Sequence, residues 1–177
     1  SCYQVVTSIL PRFGIRTTLV DGGDLGAWQE AITPETKCVF LETPSNPTLE
    51  VIDLEAVCGI AKRAGATVVV DNIFATPILQ RPMDYGADVV VYSGTKHMDG
   101  QGRVLGGAIM STRKFKEELL KPFLRHTGPS ISPFNAWVLL KGLETLKLRV
   151  EAQSQAALKL ADLLGGLSGV SRVIYPH

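Results

Sequence analysis

Residues Val89 to Gly107 read VVVYSGTKHMDGQGRVLGG. Val89-Val90-Val91 is a short continuous apolar run, the pattern of a strand covered on both sheet faces. The run does not hand over to an ordinary turn. It ends in two hydroxyls flanking a glycine, Ser93-Gly94-Thr95, and then one amine, Lys96, with Gly100, Gly102, Gly106 and Gly107 following. Taken alone, a surface loop with a solvated lysine accounts for the stretch, because short motifs often match by chance. The surrounding chain decides between that loop and a built site.

Working outward, similar apolar runs recur between helical patterns. A helix near Tyr3 to Leu10 is expected to stop at Pro11, and β-branched Ile15 to Val20 reads as a strand. Asp24 can cap a short helix carrying Leu25, Trp28 and Ile32. Lys37 to Leu41 is the next strand, after which Pro44, Asn46 and Pro47 forbid helix. Asp53 is a good N-cap for Leu54 to Ala64, whose Leu54, Val57, Cys58 and Ala61 fall at i, i+3, i+4, i+7 before Gly65 ends it. Thr67 to Val70 is a strand, Pro77 and Pro82 mark irregular chain, and Val89 to Tyr92 is a strand. Leu105 to Met110 reads as one more strand, followed by Ser111 capping a helix to about Leu124. Ser132-Pro133 opens a helix to about Leu146, and a long one continues to about Leu164. The final VSRVIYPH is strand-like. Strands alternating with helices predict an α/β fold with a mostly parallel sheet flanked by helices.

In such sheets ligands bind outside the carboxyl ends of the strands. CVFLE is followed by TPSNP, TVVV by Asp71-Asn72, and VVVY by Ser93-Gly94-Thr95-Lys96. Three strand ends therefore bring an amide, a carboxylate and a hydroxyl–hydroxyl–amine cluster to one edge. The glycines near Gly100 do not form the GxGxxG of a dinucleotide site, and no GxxxxGK precedes a serine or threonine. His97 and His126 have no evident carboxylate partner for a hydrolytic triad and read as structural. Metal-ligand pairs are lacking. Pyridoxal phosphate fits instead: it needs a lysine for a Schiff base, a carboxylate to keep its ring nitrogen protonated, and donors for its phosphate. Lys96, Asp71, Ser93 and Thr95 are such groups. For Asp71 the competing role is a helix cap or turn residue, although no helical pattern stands directly behind it.

Composition removes other classes. Hydrophobic residues make up 45% of the 177 and charged residues 20%, ordinary globular usage with enough chain for one sizeable core. A net charge of +1 gives no electrostatic case for nucleic acid or a membrane surface. Apolar runs fall short of the ~20 residues of a membrane-spanning helix, and no signal-peptide pattern opens the sequence. Cys2, Cys38 and Cys58 are an odd set without CxxC spacing. They argue against a disulfide framework or zinc site, fit a reducing cytoplasm, and read as packing residues. The chain opens on Ser1 within a helical pattern and stops uncapped, as a piece of a longer protein would.

The runs LPRFGI, FLETPSNP, VVDNIFATPILQRP, GADVVVYSGTKHMDGQGRVLGG and SPFNAWVLLKGLETLKLR resemble the cysteine/methionine-metabolism family of pyridoxal phosphate enzymes. That family includes cystathionine γ-synthase, cystathionine lyases and homoserine-ester sulfhydrylases. The resemblance covers the whole sequence. Within the family, DGQGRVLGG and LRHTGPSISPFNAW look most like the O-succinylhomoserine sulfhydrylases. Asp99-Gly100-Gln101-Gly102-Arg103 departs from the Gly-Gly-His-x-Asp type run of most members. Ile73 stands where many carry threonine.

The resemblance implies the aspartate-aminotransferase (type I) fold, with residues 1–147 in the large cofactor domain and 148–177 a connecting helix and the start of a C-terminal domain. It implies that Lys96 carries the cofactor, Asp71 pairs with the pyridinium nitrogen, and Ser93 and Thr95 bind the phosphate. Asn46 would lie near the cofactor hydroxyl and the substrate carboxylate. Arg103, replacing an acidic family position, is a candidate for substrate carboxylate recognition, with a structural ion pair to a glutamate as the competing role. The implied reaction is γ-replacement in methionine biosynthesis: Lys96 moves protons, succinate leaves the γ-carbon, and sulfide adds to give homocysteine. The implied partners are small-molecule substrates and, for the assembly, a homotetramer. Two rivals stay open: a related lyase or cystathionine-forming enzyme, and a non-catalytic domain that binds a phosphate-bearing ligand or serves assembly.

Overall fold

The computed structural model describes residues 2–176; Ser1 and His177, which open and close the two expected domains, lie outside the described residues. Four strands form one sheet in the order β1 (Cys38–Glu42), β2 (Thr67–Asp71), β3 (Val89–Ser93), β4 (Gly107–Ser111). The first three are parallel, and β4 runs antiparallel to β3. The sheet is thus mostly parallel and flanked by helices, as expected. The short connection from β3 back to β4 closes where the Gly94 N–H donates to the Gly106 carbonyl at 2.7 Å.

Local sequence explains the helices that matter for the sheet. Helix α1 (Leu25–Ala31) starts at Asp24, whose carboxylate accepts from the N–H groups of Gly26 and Ala27. It buries Trp28, whose indole N–H donates to the Gly22 carbonyl at 3.1 Å. Helix α2 (Leu54–Arg63) starts at Asp53, which accepts from Ala56 N–H, and the chain turns away at Gly65 with φ 73°. The i, i+3, i+4, i+7 face of α2 lies on Val39 and Leu41 of β1, Val68 and Val70 of β2, and Val90 of β3. Val57, Val68, Val70 and Val90 are fully buried there. Each contributes about 1.5–3 kcal/mol by leaving water. Helices α3 (Pro133–Leu143), capped by Ser132, and α4 (Leu146–Gly165) pack against the segment after β3.

Several expectations are corrected. Ile15–Val20 belongs to no strand: it has no ladder partner among the described residues, Ile15 and Leu19 are exposed, and only Val20 reaches the core. β-branched composition does not make a strand without a neighbour. The first helical stretch runs past Pro11 to Phe13 and ends at Gly14, φ 74°. Pro11 is tolerated there because the first residues of a helical turn need no N–H partner. Pro77 and Pro82 open short helical turns, Thr76–Leu79 and Pro82–Tyr85, in place of irregular chain. Thr112, not Ser111, caps the helix after β4, accepting from Phe115 N–H at 3.2 Å, and that helical run reaches Thr127. The strand-like run at the end forms no strand among the described residues. Among the described residues nothing covers the second face of the sheet at β1: Cys38 and Phe40 are exposed, so Cys38 does not pack as expected, whereas Cys58 is buried.

Candidate active site

Side chains alternate across a sheet, and in-register residues of neighbouring parallel strands share a face. Leu41 and Val70 point into the core, so Glu42 and Asp71, paired in register, point to the open face. Asp71 pairs with Val91, and two residues on, Ser93 returns to that same face. The strand ends therefore place Glu42, Asp71 and Ser93 in a row, neighbouring strands being about 4.8 Å apart. Thr43, Asn72 and Tyr92 take the opposite parity and turn toward the helix-covered side.

Those three form a brace beneath the row. The Asn72 amide nitrogen donates to the Thr76 carbonyl at 3.2 Å, the Gln80 carbonyl at 2.8 Å and the Tyr92 hydroxyl at 3.0 Å. The Gln80 amide donates to the Thr43 carbonyl at 2.9 Å and to Asn72 Oδ1 at 2.8 Å. Thr43 Oγ1 accepts from Ile52 N–H at 2.9 Å. Thr43 and Asn72 are wholly buried, so each partner avoids the cost of an unsatisfied polar group. Thr76, buried with φ 58°, sits in the left-handed region that a β-branched residue rarely enters; such strain persists where surroundings hold it and is concentrated at functional sites. Burial raises the Tyr92 phenol pKa, with the Asn72 bond opposing.

Asp71 is half-buried. Its Oδ1 accepts from Ile73 N–H at 3.1 Å, and its other oxygen has no partner among the described residues. Burial raises its pKa, and the Ile73 bond opposes that. Glu42 is raised as well, by burial first and then by Asp71, with the Asn46 N–H acting the other way. A carboxylate held at such cost, without a cation in ion-pairing reach among the described residues, suits a protonated ring nitrogen. Pyridoxal phosphate therefore fits this donor set.

Beyond Ser93 the chain enters a wide helical turn, Gly94–Met98, that carries Thr95 and Lys96. Lys96 leaves helical geometry (φ −89°, ψ −117°) and its side chain is exposed. The Ser93 and Thr95 hydroxyls and the Lys96 amine have no hydrogen-bond partner among the described residues. Gly94 is required to be small: a Cβ there would lie 2.9 Å from Leu139 and 3.0 Å from the Gly106 backbone. Asn46 sits four residues past β1, exposed, in a loop tied by the Ser45–Thr48 hydroxyl contact at 2.6 Å and the Glu50 N–H to Ser45 Oγ at 3.1 Å. Arg103 is turned to Asp99. Its Nε and Nη2 reach Asp99 Oδ1, both at 2.8 Å, and its backbone N–H donates to Oδ2. The Asp99 side chain is fully buried; burial pushes its pKa up, but the Arg103 bonds and charge carry it below the usual carboxylate value. The structural role weighed for Arg103 thus exists, with Asp99 in place of a glutamate. The row and turn hold Asp71, Ser93, Thr95 and Lys96 at one edge, Asn46 stands at its margin, and Arg103 is engaged elsewhere.

The model of the family described as Cys/Met metabolism PLP-dependent enzyme matches residues 1–177. The chain belongs to this family. It is 53% identical over 177 residues to an O-succinylhomoserine sulfhydrylase of Mycobacterium tuberculosis, covering 100% of this chain and 44% of that protein. It is 49% identical over 164 residues to an O-succinylhomoserine sulfhydrylase of Pseudomonas aeruginosa, covering 93% of this chain and 40% of the other. The crystal structure of cystathionine gamma-lyase from Lactobacillus plantarum complexed with L-serine superposes with a TM-score of 0.92 at 33% identity, covering 97% of this chain and 45% of that one. The chain thus spans less than half the length of these relatives. The fold is that of the type I pyridoxal phosphate enzymes. Among the described residues no cluster suits a metal ion, and no helix is long and apolar enough to cross a membrane.

Glu42, Asn72, Gln80 and Asp99 escaped sequence reasoning. Glu42 could have been found as the last residue of a strand ending beside Asp71's. Asp99 could have been found as the carboxylate four residues before Arg103. Asn72 and Gln80 act through folded partners that no local pattern announces.

Proposed function

We propose that this chain carries the cofactor-holding part of an O-succinylhomoserine sulfhydrylase, which replaces succinate by sulfide to yield homocysteine. The observation that supports it most is the row of Asp71 and Ser93 on the open sheet face, continued by Thr95 and Lys96 in the next turn. Lys96 supplies the amine that would hold pyridoxal phosphate. Asp71 would keep the ring nitrogen protonated through its unpartnered oxygen. Ser93 and Thr95 offer hydroxyl donors to the phosphate, beside a glycine that keeps the backbone close. Bound there, the cofactor supplies an electron sink for charge leaving the substrate's α-carbon. Displaced from the cofactor by the substrate's own amine, the Lys96 amine would be free to take the α-proton and to move a proton at the neighbouring carbon, the work a general base must do at hydrogen-bond distance. Asn46, at the margin of the row, would meet the substrate carboxylate. Arg103, clasped to Asp99, acts chiefly on its own loop.

Residues 1–147 are assigned to the large cofactor domain and 148–177 to the connection toward a C-terminal one; the chain breaks at Glu144–Thr145, so that boundary falls two residues into α4. The complete protein is read as a cytoplasmic homotetramer acting on small molecules. The two sulfhydrylases resembled at about half identity favour the succinyl ester and sulfide. Product analysis of the complete protein with O-succinyl- and O-acetylhomoserine, each against sulfide and cysteine, tests this. Homocysteine from the succinyl ester and sulfide should form with the highest kcat/KM. Preferred formation of cystathionine, or its cleavage, would overturn the assignment.

A further inference from the structure

We propose that Arg149 is a positioning residue for Lys96, fixing the backbone of the lysine turn from helix α4 through a three-pronged clasp. This rests on Lys96 being the cofactor lysine. Arg149 Nη1 donates to the His97 carbonyl at 2.9 Å, on the residue directly after Lys96. Its Nη2 donates to the Gly142 carbonyl at 2.8 Å, at the end of α3, and its Nε donates to Thr145 Oγ1 at 3.0 Å. A planar guanidinium with three directional bonds fixes orientation as well as distance, which an ammonium cannot do.

The turn needs such support. Lys96 breaks the helical geometry of Gly94–Met98, so the segment is not held by a regular ladder. Its backbone bonds include the Asp99 N–H to the Gly94 carbonyl at 2.9 Å, shared with the Lys96 carbonyl, and the Gly100 N–H to the Lys96 carbonyl at 2.7 Å. The partners of Arg149 are firmly seated. Gly142 lies so close to the Met98 carbonyl and Asp99 that any Cβ would collide with their backbone. Gly100, φ 79°, lies under the guanidinium, where a Cβ would meet its central carbon at 2.5 Å. No carboxylate pairs with Arg149 among the described residues; its polar contacts are two carbonyls and one hydroxyl. An arginine that is partly buried and bound to backbone serves the geometry of that backbone.

The test uses the complete protein loaded with pyridoxal phosphate, comparing Arg149→Gln, Arg149→Lys and the surface control Lys147→Gln. Arg149→Gln should still take up cofactor, but with altered visible circular dichroism, the signature of a reoriented chromophore. Its kcat should fall about 10²-fold, with KM changed by less than about 3-fold. Amide exchange should quicken at Asp99 and Gly100. Arg149→Lys should recover little, and Lys147→Gln should match the parent. Unchanged dichroism and kcat with only a lower Tm would overturn the proposal, as would full recovery in Arg149→Lys. If Arg149→Gln fails to fold, Thr145→Val removes one prong and should cost about 3–10-fold in kcat; no loss there overturns the proposal too. A parent protein without any cofactor band refutes the functional reading instead, and unchanged exchange at Asp99 and Gly100 then still refutes the clasp.

Discussion

The loop that follows Asp71 at the end of β2 and the loop after β3 that carries Lys96 support the two groups at the centre of the proposed site, and they are held by different means. The first, from Asn72 to Gln80, is fixed by neutral amides: Asn72 and Gln80 bond each other, the Thr43 carbonyl and the Tyr92 hydroxyl beneath the sheet edge. The second, from Gly94 to Gly106, is fixed by charge: Arg103 on buried Asp99, and Arg149 on the His97 carbonyl. A carboxylate such as Asp71 gains from a rigid neutral base, because a nearby fixed cation would satisfy it in advance. A lysine that exchanges bonding partners, as proposed for Lys96, sits better on a turn clamped from outside, with its own side chain unengaged. The difference makes the two loops separable by salt and by pH.

The largest effect should come from Asp71, which ends β2 just before the first loop. Asp71→Asn in the complete enzyme should lower kcat by about 10³-fold while sparing cofactor uptake, since opposite charges ~4 Å apart are worth ~4 kcal/mol at an effective dielectric of ~20. Near-normal kcat would refute the role. In the cofactor-free protein the sign reverses. Burial raises the Asp71 pKa, so at neutral pH its ionisation opposes folding. Asp71→Asn should then melt no lower than the parent near neutrality. The parent should close any gap as pH falls through the raised value toward the ordinary 3.8.

Next in size is the brace. Gln80→Leu leaves the Thr43 carbonyl and Asn72 Oδ1 without that donor, about 1–3 kcal/mol for each buried group left unsatisfied. Denaturation at low and high salt should give the same loss. A loss that shrinks with salt would erase the contrast between the loops.

The smallest effect should be Arg103→Ala, because the Arg103 side chain is 44% exposed and the backbone N–H at this position stays on Asp99 Oδ2. Asp99 has a lowered pKa, so it adds stability above its ordinary value and loses it as pH falls through the lowered one. The melting deficit of Arg103→Ala should be present at neutral pH, narrow toward acid, and narrow in high salt. Parallel kinetics sharpen the point: equal changes in KM for the succinyl and acetyl esters fit a residue that serves its loop, whereas a larger rise for the succinyl ester would return Arg103 to the substrate.

Much of this arrangement was legible in the sequence. Cys38–Glu42, Thr67–Asp71 and Val89–Ser93 announce themselves as apolar runs, and the rule that α/β sheets bind ligands at strand ends points directly to Asp71, Ser93, Thr95 and Lys96. Ile15–Val20 misled because its β-branched residues carry propensity while a strand also requires a neighbour. The brace and the clasp were illegible for a different reason. Gln80 meets Thr43 across 37 residues, Asn72 meets Tyr92 across 20, and Arg149 meets His97 across 52. Such pairs exist only once the strands are in register. Arg103 lay between: its charge was conspicuous, but which carboxylate it meets depended on the turn geometry after Lys96.

In the proposed site the Lys96 turn and Asp71 together hold pyridoxal phosphate. Borohydride reduction of the cofactor-loaded complete protein, followed by peptide mapping, tests it most directly. One reduced cofactor per chain is expected, on the peptide carrying Lys96, and none in Lys96→Ala. Label on another lysine, such as Lys62 at the end of α2, or undiminished labelling of Lys96→Ala, would contradict it.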